Sequence, residues 1–376
     1  MSKRLRVGIL FGGRSGEHQV SLMSAASVWK AIDRERFEPV PIGITLEGRW
    51  LVPESFEEAV STPALAENGH RVLLMPEPGF SSLRPLEDSG GVAEWISSRL
   101  DVVFPVLHGP LGEDGTVQGL FELADMPYVG AGVAASAVGM DKVLMKRLFE
   151  ARDLPVCRFL AFRRSRWERD PDRVRGLCQD ELGFPCFVKP ANLGSSVGIS
   201  KVNGPGGLDA AIDLACRYDR KFMVEKAVRG RELEVSVLGN ENPRASVPGE
   251  VRPKREFYDY RAKYSEGESE LIVPAELSRE ASDRLRQLAV EAFRAIDAEG
   301  LARVDFFMAE SGEILVNEIN TMPGFTHVSM YPRLWEKTGL GYSELLTRLI
   351  ELGLERHRER ARNQTTYDPE EGSQKE

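Results

Sequence analysis

The chain has 376 residues, 42% hydrophobic and 28% charged, the composition of a globular protein with two or three domains and a sizeable core. Its formal charge is −9 and no long basic run offsets it, which argues against nucleic acid as the main partner while leaving room for local phosphate pockets. Four cysteines without Cys-x-x-Cys spacing, and five histidines, give neither a recognisable zinc site nor a disulfide framework, and a reducing cytosol is the simpler context.

The basic start is followed by an apolar run only from Val7 to Phe11, too short for a signal-peptide core. No stretch approaches the ~20 apolar residues of a membrane span, so the expected location is cytoplasmic, with no membrane partner. Val7-Gly8-Ile9-Leu10-Phe11 reads as a buried parallel strand, followed by the loop 12–18, a helix over about 20–32 and a strand at 40–44. This β-loop-α-β unit begins a doubly wound sheet. Residues 46–98, rich in Pro, Gly, Ser and Glu, read as a decorated insertion with one short strand at 71–75. A further buried strand, 101–107, leads into the loop 108–115, and a boundary falls near Met140-Asp141-Lys142, where a helix begins. Strands are expected at 158–162, 186–189, 221–225 and 232–238, with helices between the first three, and a charged, disordered tail after about 355.

The hairpin at 303–320 carries the most chemistry. If Ser311 and Gly312 form a two-residue loop, Glu310 pairs with Glu313, Asp305 with Glu318, and Arg303 with Asn320. Period-two alternation then puts the four site residues on one face. Opposed residues have Cβ atoms roughly 4.5–5.5 Å apart, where like charges destabilise the pair. Two facing carboxylates and an amide oxygen therefore ask for a cation, and oxygen ligands favour Mg²⁺. The alternative is a solvated polar strand end.

Other loops admit similar pairs of readings. Lys189 precedes a Gly-Ser loop, Gly194-Ser195-Ser196-Val197-Gly198, whose amides and hydroxyls suit an anion, although a surface turn fits as well. It is not a Walker loop, because the lysine precedes the glycines. Gly12-Gly13-Arg14-Ser15-Gly16 lacks the first glycine of a dinucleotide fingerprint, Phe11 standing there. Glu17 beside a helix N-terminus either caps the helix or binds substrate. Glu225-Lys226 and Glu232 would offer backbone groups to a base edge and a carboxylate to ribose, or simply be solvated. The segment 255–264, polar and aromatic, reads as a closing loop with Lys263 reaching phosphate, or as a surface loop with buried tyrosines.

Taken together, these segments resemble the D-alanine–D-alanine ligases of the ATP-grasp superfamily. The resemblance rests on Gly12-Gly13-x-Ser15-x-Glu17-His18-x-Val20-Ser21, His108-Gly-x-x-Gly-Glu-Asp-Gly115, Met140-Asp141-Lys142, Lys189-Pro-x-x-x-Gly-Ser195-Ser196-x-Gly198, Tyr258-Asp-Tyr-x-x-Lys263-Tyr264, and Arg303-x-Asp305 with Asn317-Glu-Ile-Asn320-Thr-Met-Pro-Gly324. It covers about residues 5–350, in family order. It implies an α/β and α+β chain: an N-terminal Rossmann-like, pre-ATP-grasp domain (1–140, with the insertion), then a two-part ATP-grasp fold (141–229 and 230–356), then a tail at 357–376. It implies that ATP phosphorylates one D-alanine, whose acylphosphate the amine of a second attacks, giving a peptidoglycan precursor.

The same resemblance implies roles. Glu17 anchors the first ammonium, with Ser195 and Tyr264 completing a hydrogen-bonded link, and Val20 and His108 lie beside that substrate. Lys142, Lys189 and Lys263 surround the phosphates, with Ser195 and Ser196. Glu225, the backbone of Lys226, Glu232, Phe306, Asn317 and Glu318 contact the nucleotide. Asp305, Glu318 and Asn320 hold two Mg²⁺, or Mn²⁺. Arg303 and the Gly324 amide form the oxyanion site, and Ser329 holds the second carboxylate. Retention of Tyr264 favours an amine nucleophile over D-lactate, and the family implies a homodimer. A nicotinamide oxidoreductase and a nucleotide-binding regulator without catalysis are the competing readings. The defective glycine pattern opposes the first, and the full set of lysines and acids opposes the second.

Overall fold

The computed structural model of the chain describes residues 3–62, 65, 68–79, 82–87, 92–253 and 269–366. Three sheets organise it. The first runs β5-β4-β3-β2-β1-β6, built from β1 (Leu5–Gly12), β2 (Phe37–Ile44), β3 (Trp50–Pro53), β4 (Gly69–Leu74), β5 (Leu83–Pro85) and β6 (Val102–Val106). β1 lies parallel between β2 and β6, as its continuous apolar run requires of a strand covered on both faces. Residues 46–98 do more than decorate: β3, β4 and β5 extend the sheet antiparallel. Of these, β3 and β5 were not legible, since each is only a few residues long and ends in proline, a residue that argues against a strand.

The second sheet, β7-β10-β8-β9, joins β7 (Phe159–Arg163), β8 (Cys186–Pro190), β9 (Ser200–Val202) and β10 (Lys221–Lys226), all antiparallel. The third, β14-β13-β11-β15-β16, contains β11 (Gly230–Gly239), β12 (Arg244–Ala245, paired to β11), β13 (Gly249–Pro253), β14 (Ser269–Ile272), β15 (Gly300–Ala309) and β16 (Ile314–Asn320). The first and third units share a core in which Phe104, Phe325, Tyr331 and Leu345 pack together. The second keeps its own, around Trp167, Val188, Ile212 and Val224. A cleft between separately cored sheets follows from this division.

The last helix, Tyr342–Arg360, seals the shared core. Buried Arg356 donates to the carbonyls of Tyr128 (3.1 Å) and Gly130, with its guanidinium 4.1 Å above the Tyr128 ring. The helix carries the first residues of the expected tail, and 367–376 lie outside the described residues. Among the described residues no helix is long and apolar enough to cross a membrane.

The β15–β16 hairpin differs from expectation at its tip yet agrees at its base. The Ala309 amide donates to Glu313 O and the Gly312 amide to Ala309 O, both at 2.8 Å, so the loop is three residues, 310–312. Gly312 takes φ +86°, the left-handed position that closes such a loop, and the expected Glu310–Glu313 pair is absent. A bulge then adds Asn317 to β16 and restores the count: Asp305 faces Glu318 and Arg303 faces Asn320. A Cβ on Gly312 would meet nothing within 4 Å, so only backbone conformation opposes substitution there. Gly312→Ala should therefore cost about 1–2 kcal/mol and Gly312→Asn much less. Urea-unfolding midpoints check this ordering, and equal losses would refute the conformational cause.

Candidate active site

The cleft between the second and third sheets has a volume of about 550 Å³. Phe187, Lys189 and Glu225 form one wall, Glu232, Asp305, Phe306, Phe307, Asn317 and Glu318 the other, and Gly194–Ser196 an edge. Parallel surfaces of opposite sheets, one carrying lysines and the other acids, suit a flat base with a phosphate tail.

On the third sheet β11 aligns Glu234 beside Asp305, and β16 aligns Glu318 on its other side. Three acids in adjacent register are tolerable only with cations among them. Arg303 supplies one, bonding Asp305 through two 2.7 Å contacts and lying 3.1 Å from Glu234. Burial works against its charge, and Asp305 and Glu234 outweigh that penalty, holding the guanidinium charged. Lys142 supplies the other, 3.3 Å from Glu318. Asn320 Oδ1 accepts from the Met322 amide at 3.1 Å. Among the described residues no cluster of three His, Cys, Asp or Glu is arranged to hold an ion unaided. Two facing carboxylates with an amide oxygen nonetheless fit a hard cation that completes its shell with phosphate and water.

The lysines come from the second unit. Lys142 opens the helix Lys142–Glu150, an electrostatically poor place for a cation, and donates to Leu193 O at 2.9 Å. It thereby ties the Gly-Ser loop to the acidic hairpin. Asp141 caps the same helix and pairs with Lys221. Lys189 bonds Glu225 at 2.6 Å, and Lys146 approaches the other Glu225 oxygen at 2.7 Å. Burial raises the cost of ionising Glu225, and the two ammoniums overcome it, leaving its carboxyl below the usual range. The amides of Lys226 and Ala227 already bond Arg158 O and Pro185 O (3.0 and 3.1 Å), so a base edge would meet other backbone groups of this segment.

Glu17 closes the cleft from the first unit. It stands at the N-cap of the helix His18–Ala31, yet its side chain makes no capping bond and instead accepts from the Ser195 hydroxyl. This decides against simple capping. Ser195 and Ser196 both hold positive φ (51° and 59°), conformations that cost about 1–3 kcal/mol each for residues with a Cβ and that concentrate at functional loops. A Cβ on Gly194 would lie 2.9 Å from Glu17 Oε2, and one on Gly109 2.8 Å, so only glycines let both chains crowd this carboxylate. Val20 is buried on the same helix.

His108 is buried, its Nδ1 3.0 Å from Met322 O and its Nε2 3.1 Å from Ser24 Oγ. Since a carbonyl only accepts, Nδ1 carries the proton and Nε2 accepts from Ser24. Burial lowers its pKa, so the imidazole is neutral. Ser24 Oγ also accepts from the Phe325 amide at 3.2 Å. His108 thus fixes the loop 321–325, and both of its nitrogens are already engaged. Within that loop a Cβ on Gly324 would lie 2.8 Å from Ser329 Oγ, so these two residues adjoin. Ser329 Oγ itself pairs with Thr326 Oγ1 at 2.7 Å. Lys263 and Tyr264 lie outside the described residues.

Three site residues escaped sequence reasoning. Glu234 shares the face of Glu232 at a spacing of two, a signal that was available. Lys146 follows Lys142 by one helical turn. Glu113, buried, accepts from the Gly109 amide at 2.6 Å. Burial, then the nearby charge of Glu17, pushes its carboxyl up to about 8.

Two sheets clasping a cleft, behind a Rossmann-like domain that adds an acid to it, define the ATP-grasp fold. Family models for the D-ala D-ala ligase N-terminus and C-terminus match residues 6–131 and 148–351. A D-alanine–D-alanine ligase of Natranaerobius thermophilus is 50% identical over 97% of this chain and 99% of that protein. One from Heliobacterium modesticaldum is 51% identical over 96% and 98%. Among solved structures, the D-Ala:D-Ser ligase VanG of Enterococcus faecalis superposes with a TM-score of 0.83 at 34% identity, covering 93% of this chain and 100% of that one. The D-alanine–D-alanine ligase of Coxiella burnetii gives 0.82 at 34%, covering 96% and 97%. The chain belongs to the D-alanine–D-alanine ligase family, whose members are ATP-dependent.

The raised carboxyl of Glu113 sets a pH dependence. Its pKa moves from an ordinary 4.5 to about 8, so the folded state holds this proton more tightly than the unfolded state. The associated stability is complete below the lower value and is lost as pH rises through the upper one. Glu113→Gln removes that loss and should gain on the parent protein between about pH 5 and pH 8.5. Paired thermal melts across this range measure it, and a constant difference would contradict the assignment.

Proposed function

We propose that the protein joins two D-alanines into D-alanyl-D-alanine for peptidoglycan synthesis, consuming ATP and passing through D-alanyl phosphate. The observation that carries this reading is the Glu17–Ser195 contact. It sets an anchoring acid for an ammonium at the lip of a cleft furnished for phosphate. Relatives bearing that activity in their names support the choice of D-alanine.

In the proposed mechanism Glu17 holds the first ammonium, near Val20 and His108, while its Ser195 partner joins that substrate to the phosphate loop. A carboxylate oxygen of this D-alanine forms a bond to the γ-phosphorus as the bond to ADP breaks. Lys142, Lys189 and Lys263, with Ser195 and Ser196, offset the transferring charge. Glu225, the Lys226 segment, Glu232, Phe306 and Asn317 hold base and ribose. Asp305, Glu318 and Asn320 hold the divalent cations, two Mg²⁺ or Mn²⁺, which supply Lewis acidity at the phosphates. The amine of the second D-alanine, its carboxylate at Ser329, then attacks the acylphosphate carbon. Arg303 and the Gly324 amide stabilise the oxyanion, the carbon–oxygen bond to phosphate breaks, and the departing phosphate takes the proton that the nitrogen gives up. Tyr264 completes the link to Glu17 and Ser195. We further propose three domains (1–140, 141–229 and 230–356), a homodimer and a cytoplasmic location.

A second reading, ligation of D-alanine to D-serine or D-lactate, is favoured only by the likeness to VanG. Phosphate release with ATP and Mg²⁺, offered D-alanine alone or mixed with D-serine or D-lactate, separates the two. D-alanine alone should suffice, and turnover confined to a mixed pair would overturn the primary reading. Glu318→Ala should lower kcat on the order of 10²–10³-fold with the melting temperature retained. Near-normal turnover would remove Glu318 from the metal site.

A further inference from the structure

The second unit contains a charge the mechanism does not use. Lys146 is 1% exposed, one turn after Lys142 on the same helix, and the cleft lining does not include it. Its ammonium lies 2.7 Å from Glu225 Oε1, without the geometry of a directed hydrogen bond. On the opposite oxygen, Oε2, sits Lys189 at 2.6 Å, and Lys189 does line the cleft. Two buried ammoniums thus share one buried carboxylate, a cluster of net charge +1.

The distribution of that charge has a functional meaning. If Glu225 had Lys189 as its only counter-ion, the pair would be neutral, and the cleft would face a lysine whose charge was already cancelled. A neutral pair exerts little attraction on a phosphate a few ångströms away. Lys146, approaching from the protein interior, supplies the compensating charge that a buried carboxylate requires. We propose that Lys146 is a positioning residue for nucleotide binding: it neutralises Glu225 from behind, so that the charge of Lys189 remains available to the phosphates. This rests on the cleft being the nucleotide site.

A scaffold lysine would affect all ligands of the cleft alike, whereas a charge donor affects only those carrying phosphate. The readout is therefore the ratio of Mg²⁺-ADP affinity to adenosine affinity, measured by calorimetry on the full chain. Lys146→Met should lower that ratio on the order of tenfold, the effect of one unit charge several ångströms away at an effective dielectric near ~20. Lys146→Arg should restore it, and the KM for ATP should rise in Lys146→Met while the KM for D-alanine stays. Should Lys146→Met alone not fold, Glu225→Gln and the double variant Lys146→Met/Glu225→Gln leave no lone carboxylate, and their ratios should agree, because Lys146 then has no acid to act through. An unchanged ratio in Lys146→Met, a tenfold step between the two Glu225→Gln variants, or equal weakening of both ligands overturns the inference while leaving the nucleotide site intact. Failure of the parent protein to bind Mg²⁺-ADP overturns the nucleotide reading itself and this inference with it.

Discussion

The site depends on one constraint: acids in adjacent register on a partly buried sheet face must be neutralised within a few ångströms. Glu234, Asp305 and Glu318 stand side by side across β11, β15 and β16, and Glu225 faces them from the second sheet. Partial burial weakens screening by water, and each of these four acids has a cation partner. Arg303 serves two acids, Lys142 a third, and Lys146 with Lys189 the fourth. A row of carboxylates that merely decorated a surface would need none of this.

The three units are arranged so that these charges meet from different directions. The first and third share a core, and the His108–Ser24–Phe325 chain of hydrogen bonds fixes the loop 321–325 against the first sheet. The second unit, with its own core, brings the lysines and the Gly-Ser loop. Two contacts among the units at the cleft are polar, Glu17 with Ser195 and Lys142 with Glu318, while behind them Met145 and Phe149 of the lysine helix pack into the core under the third sheet. Polar contacts exchange partners at lower cost than apolar ones separate, because water or a charged ligand can take over each half. The apolar surfaces lie where the fold is permanent, and the polar ones where substrates must enter.

Much of this was legible in the sequence because it is local. Period-two alternation gave the face shared by Arg303, Asp305, Glu318 and Asn320, and loop composition marked residues 194–198 as suited to an anion. The register itself was reached by a wrong route. A two-residue loop predicts it, the loop has three residues, and the Asn317 bulge cancels the difference. Bulges leave no compositional mark here, since Asn317 reads as an ordinary strand residue. Lys146 and Glu113 were missed for another reason. Their significance lies in burial against partners far along the chain, 79 residues away for Lys146, which no periodicity encodes.

The charge arrangement also bears on how ligands enter. Bringing a polyphosphate into a cleft already lined with acids would be unfavourable if the acids were bare. Here they are stored as ion pairs, and on the proposed reading binding becomes an exchange. Phosphate oxygens compete for Lys142, and the Glu318 carboxylate it leaves becomes free for the cation that accompanies the nucleotide. Arg303 has no such release, because Asp305 and Glu234 hold it from two sides. It therefore stays in place through phosphoryl transfer, ready for the negative charge that develops in the second step. On the proposed reading, the difference between a lysine that holds one acid and an arginine that holds two separates the two halves of the reaction.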